Sequence, residues 1–353
     1  MGVDSITPAV QSAIRHGCVI PAHPLALDAS RQLDIRRQRA LSRYYIAAGA
    51  GGLAVGVHTT QFEIRDPSVG LFEPVLELAM DVMVEEAPED FIRISGICGN
   101  TDQAVREADI SQRFGYHAGL LSLAALKDED DDTLIEHCQR VAEVIPLIGF
   151  YLQPSVGGRI LGFNFWRRFV EIENVTAIKI APFNRYQTID VVRAISESGR
   201  ASEIALYTGN DDNILSDLLT EYRFEKDNDP VRIKGGLLGH WAIWTKNAVD
   251  QLNLCHEIMN KKQAVPQSIM TLATRVTDRN AAFFDPSHNF AGCIAGIHEV
   301  LRRQGLLDGI WCLNPQEELS PGQSDEIDRV YHAYRHLNDD AFVAEHIDEW
   351  MRP

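Results

Sequence analysis

The sequence predicts a (β/α)8 barrel with a C-terminal helical extension, and three observations carry that prediction. Eight short β-rich runs follow one another with a helical stretch after each, the order expected of βα units. The amphipathic stretches between them carry apolar residues on a helical period. Beyond the eighth run, residues 241–353 show helical patterning and no further strand signal. A doubly wound open sheet is the alternative architecture for such alternation. The expected organisation is a barrel over residues 1–240 with the helices of 241–353 packed on it as one structural unit.

The runs are "CVIPAH" (18–23), "GLAVGV" (52–57), "FIRISGI" (91–97), "AGLLSL" (118–123), "PLIGFYL" (146–152), "VTAIKIA" (175–181), "EIALYT" (203–208) and "VRIKGG" (231–236). Between the first two, Leu33, Ile35, Leu41, Tyr45 and Ile46 mark one helical face that ends at Gly49. The stretch "DDDTLIEHCQRVAEVI" opens with acids, which favour the positive end of a helix dipole.

Composition narrows the function classes. With 353 residues, 45% hydrophobic and 24% charged, the chain has the make-up of a soluble globular protein. A formal net charge of -17 argues against general affinity for nucleic acid or an anionic membrane. A small anionic substrate stays possible, because a local site can oppose the global sign. The six cysteines are scattered without a CxxC pair, as expected of small buried side chains in a reducing compartment. No apolar run nears the roughly 20 residues of a membrane span. The N-terminal stretch lacks the apolar core of a signal peptide, and Ile6 stands where a myristoylation signal wants Ser or Thr. The expected location is the cytoplasm.

In a barrel of this kind chemistry gathers at the carboxyl ends of the strands. Alternation along the sixth run places Val175, Ala177 and Lys179 on one face and Thr176, Ile178 and Ile180 on the other. The isoleucines suit the helix-facing side, so Lys179 points into the barrel. A partly desolvated amine holds more of its neutral, nucleophilic form, which is what a Schiff base with a ketone requires. A snorkelling or ion-paired lysine is the plainer alternative, and Lys234 in "VRIKGG" is a rival. Tyr151 at the end of the fifth run could relay protons or simply pack its ring. Thr59 and Thr60 could cradle a carboxylate or cap a helix. The loop "YTGNDDN" offers polar groups for a substrate or a turn and helix cap. His58, beside the threonines, is a candidate for binding or acid–base work, with a structural hydrogen bond as the alternative. Arg93 and Asp211 are further candidates for the surroundings of Lys179. Among His23, His58, Asp285 and His288 a metal site is not expected, since "PAHPLALD" offers a single histidine.

The ordered motifs "GVHTTQFE", "YLQP", "AIKIAP", "YTGNDD" and "IKGG" together resemble the dihydrodipicolinate synthase and N-acetylneuraminate lyase family of class I aldolases. There a G-T-T-G-E loop, a Y-N-x-P strand end, a G-x-K strand and an S/N-G-x-D loop occur in that order. The resemblance runs from "PAHPLALD" to "EVLRRQGLLDG" and implies a (β/α)8 barrel with C-terminal helices, usually a homotetramer. It implies a Schiff-base lyase or aldolase working without a cofactor on pyruvate or another 2-oxo acid, as a homo-oligomer (dimer or tetramer). It further implies Lys179 as the imine former, Tyr151 as the proton shuttle, and Thr59 and Thr60 as carboxylate holders. Gly209 and Asp211 would meet the rest of the substrate, with Gly236 and Leu237 near the imine.

Departures concern the substrate. His58, Gln61 and Phe62 replace the glycines and glutamate of the threonine loop, and Val156 stands where the synthase branch has a carboxylate-gripping arginine. No tyrosine pair ends the fourth run, which reads "LSLAALKDE". Synthase activity in the lysine pathway is therefore not expected. A catalytically silent barrel that binds a small carboxylate is the alternative function.

Overall fold

The structure is a computed structural model that describes residues 6–224 and 229–352. Its strands are β1 (Val19–Pro21), β2 (Gly52–Val55), β3 (Ile92–Ile97), β4 (Ala118–Leu121), β5 (Leu147–Leu152), β6 (Val175–Ala181), β7 (Ala205–Thr208), β8 (Glu221–Tyr222) and β9 (Val231–Leu238). The parallel order is β1-β9-β7-β6-β5-β4-β3-β2, with β8 a short antiparallel partner of β9. The ring closes between β1 and β2: Gly51 N–H donates to Val19 O at 3.0 Å and His23 N–H to Ala54 O at 2.8 Å. Eight parallel strands thus form the expected barrel, and the open-sheet alternative falls.

Helices α1 (Pro8–His16), α2 (Ile35–Ala47), α3 (Phe72–Glu86), α4 (Thr101–Phe114), α5 (Asp131–Ala142), α6 (Phe163–Phe169), α7 (Arg185–Ser198) and α8 (Ile214–Leu219) accompany the strands. Their starts follow local chemistry. Asn100, Asp130 and Asn184 accept from backbone N–H groups in the first turns of α4, α5 and α7. Gly115 and Gly199 end α4 and α7 at positive φ, a conformation that costs glycine little.

Two apolar layers result. The helix-facing one is built from residues such as Leu53, Phe165, Trp166, Ile178 and Ile180. The barrel interior is filled by Ile20, Ala54, Ile94, Leu120, Ile148, Phe150, Ala177, Tyr207 and Leu237, with Val10 and Ile14 of α1 below them. Tyr207 donates its hydroxyl to Ile14 O at 2.9 Å, fastening α1 against the amino ends of the strands. That end is plugged, so an opening can exist only at the carboxyl ends.

The remaining helices are α9 (Thr245–Asn260), α10 (Gln267–Phe284), α11 (Cys293–Arg303), α12 (Gln323–Ala333) and α13 (Asp340–Trp350). α10 packs on α8, and α13 lies on α2, where the Tyr44 hydroxyl donates to Asp339 Oδ2 at 2.8 Å. Gln304 donates to the other oxygen of Asp339, leaving that buried carboxylate well satisfied. Among the described residues no helix is long and apolar enough to cross a membrane.

Candidate active site

Lys179 projects inward near the carboxyl end of β6. The strand carries one extra residue at Thr176 relative to β5, since Leu147 pairs with Val175 but Ile148 pairs with Ala177. Val175 consequently joins the helix-facing layer, against the simple alternation expected for this strand, while Ala177, Lys179 and Ala181 face inward. The lysine is only 8% exposed. Its Nζ lies 4.4 Å from the centroid of the Phe150 ring, a cation–π distance. A Cβ on Gly209 would stand 2.7 Å from Lys179 Cε, so glycine there gives the side chain its passage.

Burial lowers the basicity of Lys179 to a pKa of about 8, with the Asp211 carboxylate acting in the opposite direction. Asp211 itself is pushed up to about 7 by burial, against the His240 N–H and Lys179, which favour its ionised form. Both groups thus move toward their neutral forms, as expected for two ionisable groups sharing a poorly solvated space.

The two border a cleft with about 590 Å³ of free space, part of it open to solvent. Asp211 sits in the loop after β7, and that loop is tied down by a buried network. The Asp217 carboxylate accepts from Thr208 Oγ1 at 2.7 Å, from Asn210 Nδ2 at 3.0 Å and from Arg185 at 2.5 Å. Asn210 Oδ1 accepts from Phe183 N–H at 3.0 Å, coupling the loops after β6 and β7. Asp211 Oδ1 accepts from His240 N–H at 2.9 Å, which orients the carboxyl in the cleft wall.

Across the cleft stand His58 and Thr59. The imidazole of His58 is held to a pKa of about 4 by burial and then by Lys179, so it is neutral at physiological pH. Thr59 Oγ1 donates to His23 O at 3.2 Å. Thr60 does not reach the cleft. Its hydroxyl donates to His23 O at 2.7 Å and accepts from Gly56 N–H and Val57 N–H, which fastens the loop to β1. The Thr60 N–H, part of the expected cradle for a carboxylate, is also spent, on Val57 O, and the next one, of Gln61, goes to His58 O. Gln61 has φ 66°, a left-handed conformation that suits the glycine of the resembled motif. Its side-chain oxygen accepts from Leu313 N–H at 2.6 Å, linking the loop to the C-terminal segment.

Other expected residues lie elsewhere. Tyr151 is on the opposite face of β5 from Lys179, because Phe150 and Leu152 occupy the inward positions. Its ring packs at 5.4 Å from that of Trp166 on α6, and its hydroxyl accepts from Leu161 N–H at 3.1 Å. It therefore cannot shuttle protons at Lys179. Gly236 faces the Trp241 ring, where a Cβ would meet it at 2.7 Å, and Leu237 fills the barrel interior beside Ile20. Neither lines the cleft. Lys234 is exposed in the first half of β9. Arg93 sits on β3 with its guanidinium against Met80 Sδ at 3.9 Å. His23 bonds Pro24 O, Gln38 and Ser42, a structural role. Asp285 pairs with His288 at 2.6 Å. Among the described residues no group of three His, Cys, Asp or Glu gathers as a metal site would require.

Several lining residues were not singled out in the sequence: Phe150, Gln153, Phe183, Gly239, and from the tail Phe284, Phe290 and Cys293. Gly239 had a signal of sorts in "GGLLGH"; without a Cβ it admits Phe284, whose Cζ would otherwise stand 2.8 Å away. The tail residues had none, since only tertiary packing brings them over the barrel.

Comparison with known proteins gives a consistent result. A family profile described as "Dihydrodipicolinate synthetase family" matches residues 16–220. The 4-hydroxy-tetrahydrodipicolinate synthase of Bifidobacterium longum (strain DJO10A) is 28% identical over 200 residues, 55% of this chain and 60% of that protein. The N-acetylneuraminate lyase of Citrobacter koseri is 26% identical over 208 residues, 57% of this chain and 65% of that protein. The sequence match thus spans less than two thirds of these relatives' length. The crystal structure of dihydrodipicolinate synthase from Acinetobacter baumannii superposes with a TM-score of 0.72 at 18% identity, covering 93% of this chain and 99% of that one. For N-acetylneuraminate lyase from Fusobacterium nucleatum complexed with pyruvate the TM-score is 0.70 at 15% identity, over 92% and 99% of the two chains. With a profile match over more than half its length and a barrel of matching fold, this chain belongs to the dihydrodipicolinate synthetase family, of which it is a divergent member.

Proposed function

We propose that the protein is a Schiff-base-forming lyase or aldolase of the class I type, acting on pyruvate or another 2-oxo acid. The observation that carries this reading is Lys179, an inward, buried amine of lowered basicity at the open end of a barrel of this family. The neutral amine attacks the ketone carbon, loses water and becomes an imine. As its protonated form the imine draws electrons from the neighbouring carbon, so a proton leaves or a C–C bond breaks.

With Tyr151 turned away, proton transfer falls to the groups that share the cleft. Asp211 is the stronger candidate, because its raised pKa lets it both give and take a proton near neutrality. Neutral His58 lies where it can receive the substrate carboxylate, and Thr59 joins it by turning its hydroxyl away from His23 O, with Gly209 providing clearance for Lys179. Among the described residues the cleft lining includes no arginine, and Val156 is part of its wall, which counts against synthase chemistry with a second carboxylate. The further proposals are a homo-oligomer, tested by light scattering, and a cytoplasmic location, which the free thiols of all six cysteines fit.

The direct test is incubation with pyruvate and borohydride, followed by peptide mass analysis. A reduced adduct on Lys179 is expected; none with any of several 2-oxo acids would sink the proposal. A second reading, a silent barrel binding a small carboxylate, is favoured by the outward Tyr151 and the spent hydroxyl of Thr60. Pyruvate binding that survives Lys179→Ala unchanged, with no turnover, would select it.

A further inference from the structure

Resting on that function, the walls of the cleft speak to what the imine reacts with. Four phenylalanines line it, Phe150, Phe183, Phe284 and Phe290, together with Leu152 and Val156. Lys179 is the sole Lys or Arg among the described lining residues, and Asp211 the sole carboxylate. Once Lys179 is an imine, and the first substrate's own carboxylate faces it, no cation remains for a second carboxylate. Bringing such a group into this space would leave its charge without a partner, at a cost of several kcal/mol.

The second observation is backbone conformation. Phe183 has φ 51° and Phe290 has φ 66°, left-handed values that a bulky side chain adopts only against backbone strain. Each is held there by a hydrogen bond: Phe183 N–H to Asn210 Oδ1 at 3.0 Å and Phe290 N–H to Asp285 O at 2.9 Å. The two rings meet edge to face, with centroids 5.7 Å apart, although they come from opposite sides of the cleft, one from the barrel and one from the tail. Both are partly exposed. Strain spent on setting two half-buried aromatic rings together at a cleft is hard to assign to packing alone.

We infer that the electrophile, or the fragment released in the cleavage direction, is an uncharged aldehyde with an apolar body of aromatic size. The step balances without a further reactant. The pyruvate imine loses a C3 proton to give an enamine, and C3 attacks the aldehyde carbon to form the C–C bond. The aldehyde oxygen takes up the proton. Water then hydrolyses the new imine, releasing a 4-hydroxy-2-oxo acid and regenerating Lys179. Cleavage of that product is the same sequence reversed.

The test uses the intact protein with pyruvate and three aldehydes: benzaldehyde, succinic semialdehyde as the carboxylated probe, and glyceraldehyde as the hydroxylated one. Products are quantified by mass spectrometry, beside the borohydride trap with pyruvate alone. The expectation is an adduct on Lys179 and kcat/KM for benzaldehyde at least about 100-fold above the other two, the scale set by leaving one charge or several hydroxyls unpaired. Val156→Arg, which adds a cation to the wall, should narrow the gap to succinic semialdehyde by about tenfold. An adduct with preference for either polar aldehyde, or with no turnover of benzaldehyde, overturns this inference and leaves the imine chemistry standing. Failure to form an adduct with pyruvate overturns this inference, and failure with every one of several 2-oxo acids overturns both.

Discussion

Neighbouring strands β5 and β6 make an instructive pair. Each was expected to bring one chemical group to the mouth of the barrel, Tyr151 from β5 and Lys179 from β6. The lysine arrives and the tyrosine does not. The side-chain period of a strand is two, so a displacement of one residue reverses the face. On β6 the inward set is Ala177, Lys179 and Ala181; on β5 it is Ile148, Phe150 and Leu152. Gly149, on the outward face, leaves room for Phe169 and Trp166, where a Cβ would meet Phe169 at 2.7 Å. Tyr151 then completes that aromatic layer and fastens the chain at Leu161. One strand brings its polar group to the cleft and the other spends its own on packing, although both end at the same rim.

Mutation at the two positions should give opposite outcomes. The largest effect is expected for Lys179→Ala, with the borohydride adduct abolished and turnover down at least about 1000-fold, since no imine can form. Asp211→Asn should keep the adduct while lowering kcat by about 100-fold or more, the usual range for losing a general acid or base. Retained turnover there would send the search for the proton carrier back to His58.

The pH dependence sharpens the same contrast. Only the neutral amine attacks a ketone, so the rate of adduct formation should climb with pH and level off near 8, the depressed pKa of Lys179. Because the Asp211 carboxylate raises that value, Asp211→Asn should shift the climb to lower pH. A climb continuing toward the ordinary lysine range would contradict the burial described here.

Stability supplies a further test. The folded pKa of Lys179 lies below the 10.5 of an ordinary lysine, so between about 8 and 10.5 the unfolded chain binds a proton that the folded chain lacks. Stability from this group therefore rises with pH through that window and is at its lowest below it. Lys179→Met should accordingly stabilise the fold at pH 7 by roughly 1–3 kcal/mol in denaturant titration, with the gain vanishing above the window. The smallest effect belongs to the other strand. Tyr151→Phe should leave turnover within about threefold and cost about 1 kcal/mol for the lost hydrogen bond. A 100-fold loss of turnover would break the comparison.

The same pair marks how far the sequence could be followed. Strand count, helical tail and the inward lysine were legible, because βα alternation repeats and a lone cation in an apolar strand has a preferred side. The parity of β5 was not. Barrel strands are buried on both faces, so "LIGFYL" shows no polar alternation to orient it. Motif order pointed to Asp211 and the threonine loop, and Asp211, His58 and Thr59 do border the cleft, yet it could not show that Thr60 spends its hydroxyl inside that loop. Phe284, Phe290 and Cys293 were out of reach for another reason: they lie more than 100 residues from Lys179 in sequence, and only docking of α10 and α11 brings them to it.

That distance has a consequence for how the protein comes into being. A ribosome makes the barrel before the tail, and N-terminal portions tend to fold first. Until residues 284–293 emerge and dock, the cleft that Lys179 borders lacks the part of its wall made by Phe284, Phe290 and Cys293. Enclosure of the cleft is thus completed by the tail, which the bond from Leu313 N–H to Gln61 also fastens to the loop after β2. On the proposed chemistry, a nascent or tail-damaged copy would hold Lys179 in a more open cleft, as a more basic and less nucleophilic amine.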